Sequence, residues 1–282
     1  MSNVDGNNGA SRGLAEAAPK RSKDKGSPLR ERLRNLGPAI GVLVGLVVFW
    51  ELACRFLSVP AYILPPPSSI IATLIKKWDT TLASATWVTL SEVAIGFALS
   101  LITGIGFAIL LHASPHVRRA IYPLLIGSQT IPIIVIGPIL AIIFGYNIVP
   151  KVLLVTLICF FPIVVTTIDG LASVDPQLKR MMKTLYGTAW STFRRVEFPA
   201  ALPSMFSGIR VAATYASIGA VFGEYAGSSN GLGYVMIQAT PQMQTSLVFA
   251  AILLLSLISV VLFALVSLAE RLLVPWAKEG RS

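Results

Sequence analysis

Residues 245–269, TSLVFAAILLLSLISVVLFALVSLA, run for 25 residues without a charged side chain. A helix rises about 1.5 Å per residue, so roughly 20 apolar residues cross a hydrocarbon core about 30 Å thick. The stretch is long enough to span a bilayer and too long for a buried strand. Apolar runs recur upstream at 37–57, 93–111, 121–145 and 152–168, and a less apolar run at 200–222 contains Arg210. This pattern predicts an all-α membrane protein with six transmembrane helices.

Composition agrees. Apolar residues make up 54% of the 282 and charged residues only 13%, about half the share of a soluble domain, roughly 25%. The net charge of +10 does not point to nucleic acid, because the basic residues gather in short segments between apolar runs and not in a stripe with interleaved aromatics. With the amino terminus inside, the inner segments hold 18 Lys and Arg and the outer segments 4, namely Arg55, Lys76, Lys77 and Lys151. That bias predicts both termini in the cytoplasm of a multi-pass inner-membrane protein. Residues 1–36 are polar and basic and read as a disordered cytoplasmic tail. Residues 37–276 read as the membrane domain, and 277–282 as a second cytoplasmic tail. The first segment lacks the form of a cleaved signal peptide.

Prolines shape the regions between spans. Val59-Pro-Ala-Tyr-Ile-Leu-Pro-Pro-Pro-Ser68 cannot continue a helix, and 69–77 reads as a short interfacial helix. Pro123, Pro132 and Pro138 predict a kinked or locally unwound third span. Glu51 and Arg55 stand one helical turn apart at the outer end of the first span, where they can pair.

The longest charged interruption, 169–203, lies on the inner side. Asp175 before Pro176 reads as an N-cap with Pro at the first helical position. Leu178, Met181, Met182 and Leu185 fall on one face, with Lys179, Arg180 and Lys183 opposite. Gly187 breaks this helix, and a second short amphipathic piece around Trp190, Phe193 and Val196 ends at Pro199. A helix–Gly–helix element suits a lever docked in a soluble partner; by pattern alone it equally suits a helix lying on anionic headgroups.

The segment resembles the cytoplasmic "EAA" loop of binding-protein-dependent ABC importer permeases, in which Glu-Ala-Ala is followed by three residues, Gly, nine residues and Ile-x-Leu-Pro. Here Gly187 precedes Val196-Glu-Phe-Pro199 and Ala-Ala-Leu-Pro203, while Met181-Met182-Lys183 stands in place of Glu-Ala-Ala and only eight residues separate Gly187 from Val196. Other matching pieces are Trp50-Glu51, Leu64-Pro-Pro-Pro-Ser68, Thr89-Leu90 with Gly96-Phe97, Pro132 through Gly145, Gly208-Ile-Arg210, and Glu224 through Gly231-Leu-Gly233. Roughly residues 45–275 look like this family, in its type I nitrate, sulfonate, taurine and pyrimidine-precursor branch. The resemblance implies a homodimeric permease with two cytoplasmic ATP-binding subunits, an external solute-binding protein and no cofactor of its own. It makes 171–200 the coupling-helix loop, with Leu185, Gly187, Trp190, Phe193, Arg194 and Pro199 expected to meet the ATPase. A bulky residue at Gly187 would be costly if φ there is positive.

Candidate pathway residues are Gln129, Arg210 and Glu224, with Glu92 as a further polar position. Arg210, the basic residue inside an apolar run, either lines the pathway or packs and snorkels. Glu224 lies too far along the same helix to pair with it and is placed at the outer end. Gly227-Ser-Ser-Asn-Gly-Leu-Gly233 lacks the Lys-Ser/Thr of a phosphate loop and reads as an outer turn in which glycine permits positive φ. No catalytic constellation is visible. Cys54 and Cys159 have no partner ligands at metal spacing, and His112 and His116 are separated by Pro115 with no carboxylate near in sequence; no metal is expected. An ion-coupled secondary transporter would call for inverted repeats and mid-membrane carboxylates, which the sequence does not display. Branch resemblance around 89–96 and 224–233 leans toward a small heterocycle, such as a vitamin or thiamine-pyrimidine precursor, with sulfonate, taurine or nitrate as the alternative.

Overall fold

The computed structural model describes residues 28–276; residues 1–27 of the expected tail at 1–36, and the whole of the expected tail at 277–282, lie outside them. Helix α1 spans Pro28–Phe56, so residues 28–36 are helical and not part of an irregular tail. The described residues divide into two units, the first ending at Trp50 and the second beginning at Glu51. The second unit holds α2 (Pro67–Lys77), α3 (Ala83–Ala113), α4 (Pro115–Ser128), α5 (Ile133–Phe144), α6 (Val149–Ala172), α7 (Pro176–Thr184), α8 (Ala189–Thr192), α9 (Phe198–Gly227), α10 (Leu232–Ala239) and α11 (Thr245–Leu273). Among the described residues no strand occurs.

Helix α6 is central. Val152, Leu154, Val155, Cys159, Ile163, Val164 and Ile168 are all buried, packed between α3 and α9, which supply small residues where backbones meet. On α9 the facing positions include Gly208, Ala212, Ala216, Gly219 and Gly223, a spacing of three and four that keeps them on one face. A Cβ at Gly219 would sit 2.8 Å from Val155 Cα, one at Gly223 2.7 Å from Lys151 Cα, and one at Gly96 on α3 2.5 Å from Val155 Cβ. Without a hydrophobic drive between helices in lipid, such close approach is what holds a bundle together. The outward face of α11 exposes Leu253, Leu257 and Val260, while Leu247, Ala250, Ala251 and Leu254 turn inward. Exposed apolar faces of this extent suit a hydrocarbon surround.

Six spans are expected, and the described residues supply four or five of them. Four helical stretches among the described residues are long and apolar enough to cross a membrane: Pro67–Ala113, Val149–Ala172, Ala189–Gly227 and Thr245–Leu273. The pair α4–α5 makes up to five if counted as one span. The expected first span, 37–57, lies in α1 and stands outside that count. The supposed interfacial helix at 69–77 is α2, which runs on into α3 through a π-helical turn at Trp78–Leu82. In the proline-rich third run the chain stops at Ser128, restarts at Ile133 and bends by 96°. Pro132 sits there in an extended conformation as the N-cap of α5, as expected where Pro denies the helix a donor.

The glycine contacts are directly testable. Gly219→Ala should cost roughly 1–3 kcal/mol, because its methyl meets backbone that cannot rotate away. Gly106→Ala, with nothing within 4 Å of the added carbon, should stay within about 0.5 kcal/mol of the parent. Thermal unfolding of the detergent-solubilised chain checks both.

Candidate functional site

Two polar clusters are built on the same helices at opposite ends. On α3, Glu92 and His112 are separated by roughly 30 Å of helix rise, about the thickness of a hydrocarbon core.

The first cluster involves the segment 176–197. Asp175 caps α7 by accepting from Gln177 N at 2.7 Å, and Pro176 occupies the first turn. The helix closes with Tyr186 N donating to Lys183 O (3.1 Å) and Gly187 N to Met182 O (2.8 Å), a Schellman arrangement. The left-handed residue of that motif is Tyr186, at φ 56°. The condition of a positive φ is not met at Gly187 itself. Glycine is needed there for space, since a Cβ would stand 2.7 Å from Met182 O. Thr188 then caps α8, accepting from Ser191 N at 3.2 Å. A π-helical turn, Phe193–Glu197, carries α8 into α9 without interruption. The second piece does not end at Pro199. Pro199 falls immediately after the π-helical turn, within the continuous helix.

Leu185 and Trp190 are exposed (66% and 68%) and Tyr186 almost wholly so (97%), giving this end an apolar knob. Phe193 instead turns inward, with ring centroids 5.7 Å from Trp190, 5.8 Å from Phe198 and 6.2 Å from His112. Arg194 and Arg195 lie on the same π-helical turn, and both are exposed. Beneath the aromatic layer Glu197 lies 2.8 Å from His112 Nε2 and 2.8 Å from Lys179 Nζ. The sequence places no carboxylate near His112; the fold brings one from 85 positions away.

The second cluster is buried. Glu224 near the end of α9 and Glu92 on α3 are each 1% exposed, and Lys151 is 7% exposed. Thr89 donates to Glu224 Oε1 at 2.6 Å and accepts from Leu232 N at 2.9 Å. Gly233 N and Tyr234 N donate to Glu224 Oε2 at 2.5 and 3.3 Å. The first N–H groups of α10 are thus satisfied by a threonine and a carboxylate from two other helices, and the carboxylate sits at the positive end of the helix dipole. Gly231, at φ 121°, both makes the turn and leaves room, since a Cβ there would strike the Glu224 carboxylate. Lys151 Nζ reaches Glu92 Oε1 at 3.3 Å and donates to Ser228 Oγ at 2.8 Å. Charge counting assigns Lys151 to an outer loop; in the structure it lies in the first turn of α6 and is drawn inward.

The three candidate pathway residues are not brought together. Arg210 pairs with Glu270 on α11 at 2.5 Å, Gln129 is exposed at the break between α4 and α5, and Glu224 belongs to the α10 cap. Cys54 and Cys159 are buried free thiols, and among the described residues no group of His, Cys, Asp and Glu could hold a metal.

Residues 96–278 match the family described as "Binding-protein-dependent transport system inner membrane component". The chain belongs to this family. A formylaminopyrimidine transport permease of Halalkalibacterium halodurans is 38% identical, over 89% of this chain and 100% of its own length. A riboflavin transport system permease of Chloroflexus aurantiacus is 35% identical, over 85% and 91% respectively. Permeases named for sulfonates and taurine match at lower identity. In fold, the chain is similar to a chain of the inward-facing MetNI methionine ABC transporter, with a TM-score of 0.55 and 17% identity over 66% of this chain and 94% of that one. It is a multi-pass inner-membrane permease.

In this permease the buried ion pair gives a sharp stability test. Lys151→Met should cost about 3–5 kcal/mol by stranding a buried carboxylate, and adding Glu92→Gln should recover much of it. Additive losses in the double variant, measured by thermal unfolding, would show that the pair does not interact.

Proposed function

We propose that the chain is the membrane-spanning subunit of an ATP-driven importer for a small heterocycle of the vitamin or thiamine-pyrimidine-precursor kind. The observation that carries the substrate class is the 38% identity to a formylaminopyrimidine permease along that relative's whole length, with a riboflavin permease at 35%. The alternative is the same role for a sulfonate, taurine or nitrate; relatives at 30% and 27% identity, named for aliphatic sulfonates and taurine, support the first two.

In this reading two copies pair, two cytoplasmic ATP-binding subunits attach at the 176–197 end, and an external solute-binding protein docks at the 227–244 end. Both chain termini face the cytoplasm, supported by the 18:4 basic bias. The knob of Leu185, Tyr186 and Trp190 fills a groove in the ATPase, as exposed aromatic anchors do. Arg194, also exposed, meets acidic groups at the groove's rim. ATP hydrolysis belongs to the partner, since the chain has no Gly-rich loop ending in Lys-Ser/Thr.

Uptake by the complete complex, measured across formylaminopyrimidine, riboflavin, taurine and nitrate, tests the reading; transport of taurine or nitrate in preference to either heterocycle would overturn the substrate class. Gly187→Val should leave membrane insertion intact while lowering both ATPase association and uptake, because the side chain collides with Met182 O. Wild-type assembly and transport in that variant would make the segment a passive surface helix.

A further inference from the structure

We infer that Glu197 is a positioning residue that transmits the stroke of the coupling element to α3, separately from the exposed surface that docks the ATPase. This rests on the reading of 176–197 as the coupling element.

The exposed knob is carried by α7 and α8, yet neither is long enough to move a bundle by itself. Helix α7 has 9 residues, none of them buried, and α8 has 4. An element this small passes displacement onward only through contacts that resist sliding. The covalent route leads through the π-helical turn into α9. One carboxylate provides the other route. Glu197 Oε1 holds Lys179 of α7 at 2.8 Å, and Oε2 holds His112 in the last turn of α3 at 2.8 Å. A carboxylate only accepts, so Lys179 and His112 are both donors to it. Its two oxygens therefore join α7, the π-helical turn and α3.

Location strengthens the link. The Glu197 side chain is 13% exposed and that of His112 17%, so water competes for these bonds less than at an open surface. Bonds to a charged partner in such a setting are among the stronger ones. Beside them lies a cavity of about 600 Å³ lined by Ile109, His112, Lys179, Trp190 and Phe193. Apart from the Phe193 ring, 6.2 Å from His112, the contact between the coupling element and the end of α3 is loosely filled here. The polar bridge crosses where packing is poor. Helix α3 then carries displacement along its length to Thr89 and Glu92, whose partners hold α10 and α6.

Arg194 contributes exposed charge, which adds little rigidity. The bridge also departs from the loop's outward surface. It faces inward, so removing it leaves the docking knob of Leu185, Tyr186 and Trp190 in place.

The test uses the complete complex in proteoliposomes and reads solute imported per ATP hydrolysed. Glu197→Gln, nearly isosteric, should assemble with the ATPase yet lower that ratio roughly fivefold or more. His112→Gln, which alters the bond on the α3 side alone, should lower it in the same direction. Lys179→Glu should lower it as well, by setting two carboxylates against each other, whereas Lys179→Arg, which keeps a charged donor to Glu197, should hold it near the wild-type value. A wild-type ratio in both Glu197→Gln and His112→Gln, or a Lys179→Arg chain no better than Lys179→Glu, overturns the inference. So does loss of ATPase association in a folded Glu197→Gln chain, because the residue would then serve docking. If the unsubstituted chain does not associate with an ATPase at all, it is the coupling-element reading itself that fails.

Discussion

The close backbone approach of α6 to α3 and α9 is the constraint on which the rest depends. Where Gly96, Gly219 and Gly223 face Val155 and Lys151 there is no room for a β-carbon, so three helices lock into one register. Fixing that register aligns both ends at once. It brings Glu224, Glu92, Thr89 and Lys151 together at one end and His112 and Glu197 at the other. A helix bundle in lipid has no hydrophobic force of its own to choose among registers; small residues make the choice by admitting only one.

The ends differ in what they do with polar groups. At the α10 end the carboxylate of Glu224 is consumed in satisfying backbone N–H groups that would otherwise be stranded in a buried setting. Such a group is rigid by construction, and it fixes the turn at 227–233. At the 176–197 end apolar side chains are left outside, with Tyr186 97% exposed, and the buried polar bridge lies behind them. The polar groups of the α10 end are consumed within the bundle, whereas the 176–197 end leaves apolar side chains exposed.

Much of this is legible in sequence. The charge-free run at 245–269 and its counterparts define the membrane class, and Asp175-Pro176 marks the start of α7 because capping is local chemistry. The prolines locate the break at 129–132. What stays hidden is non-local or depends on backbone continuity. A π-helical turn, which lets α8 run into α9 through Pro199, leaves no composition signal. Gly187 suggests its own left-handed bend, whereas the turn falls on Tyr186. Lys151 reads as one more loop charge until its burial beside Glu92 is seen, and Glu197 has no sequence neighbour that hints at His112. The Arg210–Glu270 pair is hidden for the same reason.

Site-directed crosslinking addresses the central claim most directly. Because Cys54 and Cys159 are buried, single cysteines introduced at Tyr186 and Met243, both exposed, can report which partner meets each end of the assembled complex. The account predicts that Tyr186→Cys links to the ATP-binding subunit and Met243→Cys to the solute-binding protein. Crosslinking of position 186 to the solute-binding protein, or of position 243 to the ATPase, would contradict it.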